Sequence, residues 1–182
     1  LCRYGIEYVD DKKTKKKIAT CHRTVYNSIF DDIDYKETIK NAEVKVFSLA
    51  DGGEGTVESI VLGAKGEYKT VTVTAPLGGK VKSRYGIING DTAIIEVASS
   101  AGITLVKKEQ LNPLKATTFG VGETILNALD NGSRKFIIGL GGSATNDCGV
   151  GMLQALGFSF LDKDNNPVSF GAEGLKDIAS IS

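Results

Sequence analysis

Two glycine-rich loops constrain the fold of this chain more than any other feature of its sequence. The first runs from Asp51 to Thr56 and the second from Gly139 to Asp147. Each is followed by an amphipathic stretch and preceded by a short apolar one, and strand, glycine loop and helix in succession form the unit of an α/β sheet. Only Gly5 of the 22 glycines lies among the first 50 residues. The pattern therefore predicts an α/β fold that becomes readable near Val44.

The loops also carry the side chains that phosphoryl transfer needs. Consecutive glycines let main-chain N–H groups approach an anion, and a helix N-terminus adds a favourable dipole. Carboxylates accompany them at Asp51 and Asp147. A carboxylate beside a phosphate requires either a Mg²⁺ ion between them or a proton to accept from an attacking hydroxyl. The alternative is structural, because tight turns before helices often contain glycine and a capping Asp or Thr.

Between and after the loops, the pattern predicts an antiparallel meander followed by parallel units. Asn89-Gly90 predicts a tight hairpin, because both positions tolerate positive φ. The segment after Asn131-Gly132 predicts a short, buried, parallel strand. The predicted strands are Val44–Leu49, Tyr68–Thr74, Lys80–Ile88, Thr92–Val97, Lys135–Leu140 and Phe158–Leu161, and the predicted helices run from Thr56 to Leu62 (ending at Gly63), from Val121 to Leu129, and up to Leu156.

Charge and composition exclude several classes of partner. The 22 basic residues balance 22 acidic ones, so no net field attracts nucleic acid or an anionic membrane. No apolar run approaches 18 residues, which excludes a spanning helix, and three scattered cysteines indicate a reducing compartment without a disulfide framework. We therefore expect a cytoplasmic protein. The lysine run around Lys12–Lys17 is interpreted as a solvated turn, and His22 alone makes no metal site.

A competing interpretation concerns the second loop. Gly139 to Ala144 fits the G-x-G-x-x-G/A dinucleotide fingerprint, and Asp162 lies where a ribose-binding acid would follow. This pattern leaves a dinucleotide-dependent oxidoreductase open as an alternative. The acids and amides from Asp162 to Glu173 loosely resemble a calcium loop but favour a solvated hairpin turn.

The roles of three further residues stay open on the sequence alone. Glu96 is a ligand or base, or else it faces solvent; Thr117 and Thr118 bind a ligand or cap a helix. Cys148 has no neighbouring base and is interpreted as a packed small residue.

Several longer motifs follow one another along the chain: Ala50-Asp51-Gly52-Gly53-Glu54-Gly55-Thr56, Pro76-Leu77-Gly78, Ile95–Gly102, Thr118–Glu123, Ile138–Asp147 and Gly149–Met152. In this order they resemble the bacterial type I glycerate kinases, and the resemblance runs from about Val44 to Ser182. The resemblance implies ATP- and Mg²⁺-dependent phosphorylation of D-glycerate in a cleft between two α/β domains, and it displaces the dinucleotide interpretation.

The resemblance also implies site residues. Asp51 or Asp147 would take the glycerate hydroxyl proton or hold the metal, and the glycines with Ser143 and Thr145 would hold phosphate or the glycerate carboxylate. The full set expected to bind substrate or phosphate is Gly52, Gly53, Glu54, Gly55, Thr56, Glu96, Ser99, Thr118, Gly141, Gly142, Ser143, Thr145 and Asn146.

The resemblance further implies a division of the chain. Residues 1–43 form an atypical segment, residues 44–66 the end of a first α/β domain, and residues 67–182 a second α/β domain with its glycine loop. Family members are about twice as long, so the fold is expected to be incomplete and the chain to show little activity alone. The alternative is a remnant that binds glycerate or nucleotide without turnover. The choice between the 2- and 3-hydroxyl, and the oligomeric state, stay open.

Overall fold

The computed structural model describes the backbone of residues 6–11 and 16–21 and all of residues 50–182. It divides into two compact units, residues 1–50 and 51–182. In the first unit, β1 (Ile6–Asp11) and β2 (Lys16–Cys21) pair antiparallel. The sequence had predicted no element there. The predicted strand at 44–49, the centre of the lysine run and His22 lie outside the described residues.

The second unit is built on a four-stranded mixed sheet in the order β3-β4-β5-β6. The meander β3, β4 and β5 is antiparallel, and β5 pairs with β6 in parallel, with Ile94 opposite Ile137. This confirms the predicted α/β fold with its antiparallel meander. The strands are β3 (Glu67–Thr74), β4 (Lys80–Ile88), β5 (Thr92–Glu96) and β6 (Lys135–Gly139).

The turn between β4 and β5 has the predicted chemistry. Asn89 and Gly90 both have positive φ, 52° and 78°. That combination is the type I′ turn, whose twist matches that of the strands it joins. Local sequence therefore fixes the meander, and with it the position of β5 at the centre of the sheet.

Helices cover both faces of the sheet. α1 (Thr56–Ala64) packs on β4 and β5 through Val57 and Val61. α3 (Phe119–Asp130) packs on the opposite face through Val121, Ile125 and Ala128, as its apolar periodicity predicted. Two shorter helices complete the set, α2 (Ala98–Ala101) and α4 (Val150–Ala155).

Two predictions about these elements were wrong in detail. β6 is parallel but not buried, because α1 lies over β4 and β5 and leaves Ile137 46% exposed on the edge strand. α1 continues through Gly63 to Ala64, and its C-cap residue Lys65, which has a left-handed φ of 54°, donates its N–H to the carbonyl of Leu62 over 3.4 Å.

The last part of the chain forms a small second sheet. β7 (Phe160–Leu161) pairs antiparallel with β8 (Ser180–Ile181), and a 3₁₀ helix at Ala172–Asp177 lies between the two strands in the chain. β7 is shorter than the predicted strand. Among the described residues, no helix has the length and apolar character needed to cross a membrane.

Candidate functional site

The two glycine loops touch each other through their backbones. The N–H of Gly141 donates a hydrogen bond of 2.8 Å to the carbonyl oxygen of Gly52. A Cβ atom on Gly141 would lie 2.7 Å from the Cα of Gly53, and one on Gly139 would lie 2.5 Å from the oxygen of Gly52. The contact therefore requires glycine on the second loop, for packing rather than for φ.

This contact lies at the carboxyl ends of the parallel strand pair. Glu96, the last residue of β5, is the register partner of Gly139, the last residue of β6. The second loop leaves from this edge, which is where ligands bind in open α/β sheets. The sequence analysis predicted that both loops bind a ligand. In the structure the two loops are in contact with each other.

The first loop is organised by its own side chains. The N–H of Gly52 donates to the Thr56 hydroxyl over 3.1 Å, and that of Gly53 donates to Oδ1 of Asp51 over 3.1 Å. Glu54 accepts a hydrogen bond of 2.8 Å from Thr104. Asp51 is exposed, and its Oδ2 accepts no hydrogen bond from the described residues. Oδ2 of Asp51 is thus available to a ligand.

Glu96 does not face solvent. Its side chain is 7% exposed, and Oε1 accepts a hydrogen bond of 2.7 Å from the N–H of Val57 in the first turn of α1. Burial raises the pKa of the Glu96 carboxyl, and the N–H groups of Val57 and Gly55 and the charge of Arg84 oppose that rise. Glu96 therefore anchors the helix that follows the first loop.

The second loop is anchored by its main chain and keeps donors free. Ala144 donates to the carbonyl of Ala101 over 2.8 Å, and the carbonyl of Gly142 accepts from Ile103 over 2.8 Å. The N–H groups of Gly142 and Ser143 find no acceptor among the described residues. The hydroxyls of Ser143 and Thr145 lie 2.6 Å apart, and Asn146 is exposed.

Asp147 is a buried junction between two helices. Its side chain is 1% exposed, and its carboxylate accepts five hydrogen bonds. The shortest come from the N–H and the hydroxyl of Thr118, at 2.8 and 2.9 Å. The others come from the N–H groups of Gly149 and Gly151 and from the Thr117 hydroxyl, at 3.2, 3.2 and 3.4 Å. These bonds tie the start of α3 to the start of α4.

Thr118 belongs to the same junction. Its hydroxyl donates to Asp147 and also accepts the N–H of Met152 over 2.9 Å, so its proton and one lone pair have structural uses. It makes no side-chain capping bond to α3, although Thr117 accepts the N–H of Phe119 over 3.2 Å. Ser99 donates its hydroxyl to the carbonyl of Arg84 over 3.2 Å.

Arg84 is the site residue that the sequence analysis missed. Its guanidinium lies 4.7 Å from the centre of the Tyr68 ring, and its charge acts on Glu96. Side chains two residues apart in a strand lie on the same face of the sheet, so Arg84 of β4 shares a face with Gly86. Gly86 lies against Val61 of α1, and this alternation could have identified Arg84 as a residue on the face that α1 covers. The interpretation of Cys148 as a packed residue was wrong: it is exposed, with φ of 53° in the turn before α4.

The other interpretations of the second loop do not fit the geometry. A dinucleotide fingerprint requires a helix directly after the glycines, whereas α4 begins only at Val150. Asp162 lies in a hairpin turn, where its Oδ1 accepts the N–H groups of Asn166 and Asp164 at 2.8 and 2.9 Å, and these bonds lower its pKa. Within the described residues, no group of three His, Cys, Asp or Glu side chains could hold a metal ion.

Comparisons with known proteins match most of this chain to one family. A family model described as "Glycerate kinase family" matches residues 24–182. This match begins 20 residues before Val44, where the sequence resemblance was expected to begin. A glycerate kinase of Haemophilus influenzae is 48% identical over 169 residues, which cover 92% of this chain and 42% of that protein. The glycerate 2-kinase of Escherichia coli K12 is 44% identical over 148 residues, covering 81% of this chain and 39% of that protein.

A solved structure has the same fold over most of this chain. The crystal structure of a Salmonella typhimurium LT2 protein assigned as glycerate kinase 2 matches with a TM-score of 0.72 and 45% identity. The match covers 81% of this chain and 40% of that one. The chain therefore spans about two fifths of the length of the proteins that it matches.

Proposed function

The chain belongs to the glycerate kinase family, and we propose that its two-loop site takes part in the ATP-dependent phosphorylation of D-glycerate. The observation that carries the proposal is the hydrogen bond between Gly141 and Gly52, which places a carboxylate-bearing loop against a loop with free donors. Phosphoryl transfer needs positioning and electrostatic stabilisation more than covalent chemistry by the protein. Two rigidly joined polar loops provide both.

The free donors of the second loop suit an anion. We assign the N–H groups of Gly142 and Ser143, with the hydroxyls of Ser143 and Thr145, to a phosphate group or to the glycerate carboxylate. Preorganised N–H groups stabilise phosphate oxygens without reorganisation during the reaction. Asn146 is exposed beside them and is assigned to the same role.

Asp51 is the carboxylate that we assign to the glycerate hydroxyl. It is exposed and has a free oxygen, which a general base must have within reach of the proton that it accepts. Asp147 was an equal candidate on sequence, but its five internal hydrogen bonds and its burial favour a positioning role. The roles of Gly52, Gly53, Glu54, Gly55, Thr56 and Ser99 as ligand contacts stay predictions.

Asp51 also fits Mg²⁺. This ion is held by one or two carboxylates together with substrate phosphates, so one free carboxylate oxygen meets its requirement and a three-acid cluster is unnecessary. When bound, the ion would neutralise charge on the phosphate oxygens of ATP. The chain's own residues would then orient the phosphate and the glycerate hydroxyl toward each other.

We propose that a second α/β domain completes the cleft in the whole protein and that the reaction takes place in the cytoplasm. The boundary expected between residues 66 and 67 stays part of this proposal. Because this chain spans about two fifths of its relatives, we expect little turnover from it alone.

A coupled ADP-release assay with D-glycerate tests the proposal. The chain completed to the length of its relatives should release ADP in proportion to D-glycerate, and the 182-residue chain should release little. No release from the completed chain with D-glycerate, together with robust binding of another hydroxy acid, would contradict the assigned substrate. Full activity of the 182-residue chain would contradict the need for a second domain.

A second candidate function is binding without turnover, favoured by the same short coverage of the relatives. Calorimetric titration of the chain with ATP and with D-glycerate separates the candidates. Heat of binding without ADP release supports a binding remnant, whereas ADP release from the same preparation excludes it.

The name of the Escherichia coli relative specifies the position of phosphorylation in that protein. We propose the same acceptor, the 2-hydroxyl, for the reaction here. Proton-coupled phosphorus NMR of the product decides the point. A phosphate on carbon 2 couples to one proton and gives a doublet, whereas a phosphate on carbon 3 couples to two and gives a triplet.

A further inference from the structure

We propose that Glu96 is a positioning residue that closes the N-terminus of α1 to anions and thereby leaves the second loop to bind the phosphate. The proposal rests on the proposed function. It departs from the expectation that each glycine loop binds phosphate at the helix behind it.

The closure follows from one hydrogen bond. Oε1 of Glu96 lies 2.7 Å from the nitrogen of Val57, the second residue of α1, and the Glu96 side chain is 7% exposed. The first N–H groups of a helix have no partner within it, and they attract anions together with the helix dipole. Here a carboxylate from β5 already accepts the N–H of Val57, and the N–H of Thr56 donates to the carbonyl of Gly53 over 3.2 Å.

The charges around Glu96 reinforce the closure. Glu54 carries a second carboxylate that acts on Glu96, and Arg84 is the cation that acts on it. A phosphate at the start of α1 would displace the bond to Val57 and approach both carboxylates. Like charges in a partly buried site repel strongly, so this place is unfavourable for phosphate.

In the second loop, two N–H groups without an acceptor among the described residues lie outside the helix that follows the loop. Gly142 and Ser143 precede Asp147, whose carboxylate fills the start of α4 by accepting from Gly151 over 3.2 Å. The N–H groups of Gly142 and Ser143 lie outside that junction and have no acceptor among the described residues. The buried carboxylates thus occupy the helix termini and direct an anion to the loop itself.

Glu96 also sets the position of the first loop. It is the register partner of Gly139 on β6, and it holds the start of α1 directly after Gly55. The bond to Val57 therefore fixes the distance between the strand pair and the first loop. Loss of this bond should loosen the contact between Gly52 and Gly141.

The test is a titration of the ¹⁵N-labelled 182-residue chain with inorganic phosphate, followed by amide chemical shifts. In the wild-type chain the shifts of Gly142 and Ser143 should move, and those of Thr56 and Val57 should stay. In Glu96→Ala the amides of Thr56 and Val57 should also respond, with phosphate binding there roughly tenfold tighter than in the wild type. Glu58→Ala is the matched control, because Glu58 is an exposed acid in the same turn.

The wild-type titration decides the question even if Glu96→Ala fails to fold. Phosphate-dependent shifts at Val57 in the wild-type chain, or none at Gly142 and Ser143, would overturn the proposal. Glu96→Gln keeps an acceptor oxygen and removes the charge, so it should give a response at Val57 between those of the wild type and Glu96→Ala. A wild-type phosphate map as expected, combined with no ADP release from the completed chain, would overturn the proposed function alone.

Discussion

Gly141 donates its main-chain N–H to the carbonyl oxygen of Gly52 over 2.8 Å, so the two glycine loops are joined by backbone alone. No side chain fits between them, because a Cβ on Gly141 would meet the backbone of Gly53 at 2.7 and 2.8 Å. Backbone atoms cannot move aside as a flexible side chain can. The joint is therefore intolerant of any larger residue.

The first prediction concerns this joint. Gly141→Ala should lower the free energy of unfolding by about 1–3 kcal/mol, because the added methyl group forces the loops apart. The binding of ATP or D-glycerate should weaken with it. Urea denaturation and calorimetric titration measure the two effects.

Gly63→Ala is the matched control for Gly141→Ala. Gly63 lies inside α1, and a Cβ there meets no atom within 4 Å. This change should raise stability by roughly 0.5–1 kcal/mol, as alanine does in a helix. Equal effects of the two substitutions would show that the loops have room to separate.

The second prediction concerns the pH dependence of stability. Burial raises the pKa of Glu96 in the folded chain above its ordinary value of 4.5. Between the two pKa values the folded state binds more protons than the unfolded state, so stability falls as pH rises. The stabilising contribution of Glu96 is complete below pH 4.5 and is lost as pH rises through its folded pKa.

Urea midpoints of the wild type and Glu96→Gln across that range measure this effect. The wild type should lose stability relative to Glu96→Gln as the solution becomes less acidic, because glutamine does not titrate. Glu58→Gln, which removes an exposed acid of the same helix, is the control variant measured under the same conditions. A constant difference between the wild type and Glu96→Gln would contradict the raised pKa.

The third prediction tests whether Asp147 has a positioning role in the fold. Asp147→Ala should lower the free energy of unfolding by about 3 kcal/mol or more, because five donors, four of them in buried hydrogen bonds, lose their acceptor. Asp130→Ala, at the exposed end of α3, should change it by less than about 0.5 kcal/mol. Chemical denaturation measures both, and unchanged stability in Asp147→Ala would contradict the positioning role.

Local sequence patterns predicted the elements because their causes are local. The Asn89-Gly90 turn follows from two residues that tolerate positive φ. The buried face of α3 follows from apolar residues at helical spacing. The predicted burial of β6 was wrong, because the exposure of this strand depends on where α1 lies rather than on its own residues.

The site was only partly predictable because its key contacts join distant parts of the chain. Sequence motifs identified both loops and both aspartates, but not which aspartate keeps a free oxygen. The bond from Val57 to Glu96 and the junction of Asp147 with Thr118 exist only once the helices are in place. Long-range packing, rather than residue type, separates exposed Asp51 from buried Asp147.

The last prediction follows from that separation. Asp51→Asn should lower kcat of the completed chain by about 10²–10⁴, because an amide cannot accept the glycerate proton. The same change should move the free energy of unfolding by less than about 0.5 kcal/mol, because Asp51 is exposed and makes one hydrogen bond within its own loop. Asp164→Asn, in an exposed turn, is the control and should leave both quantities unchanged. Should Asp51→Asn retain full kcat while Asp147→Asn loses it at unchanged stability, the proton acceptor would be Asp147 instead.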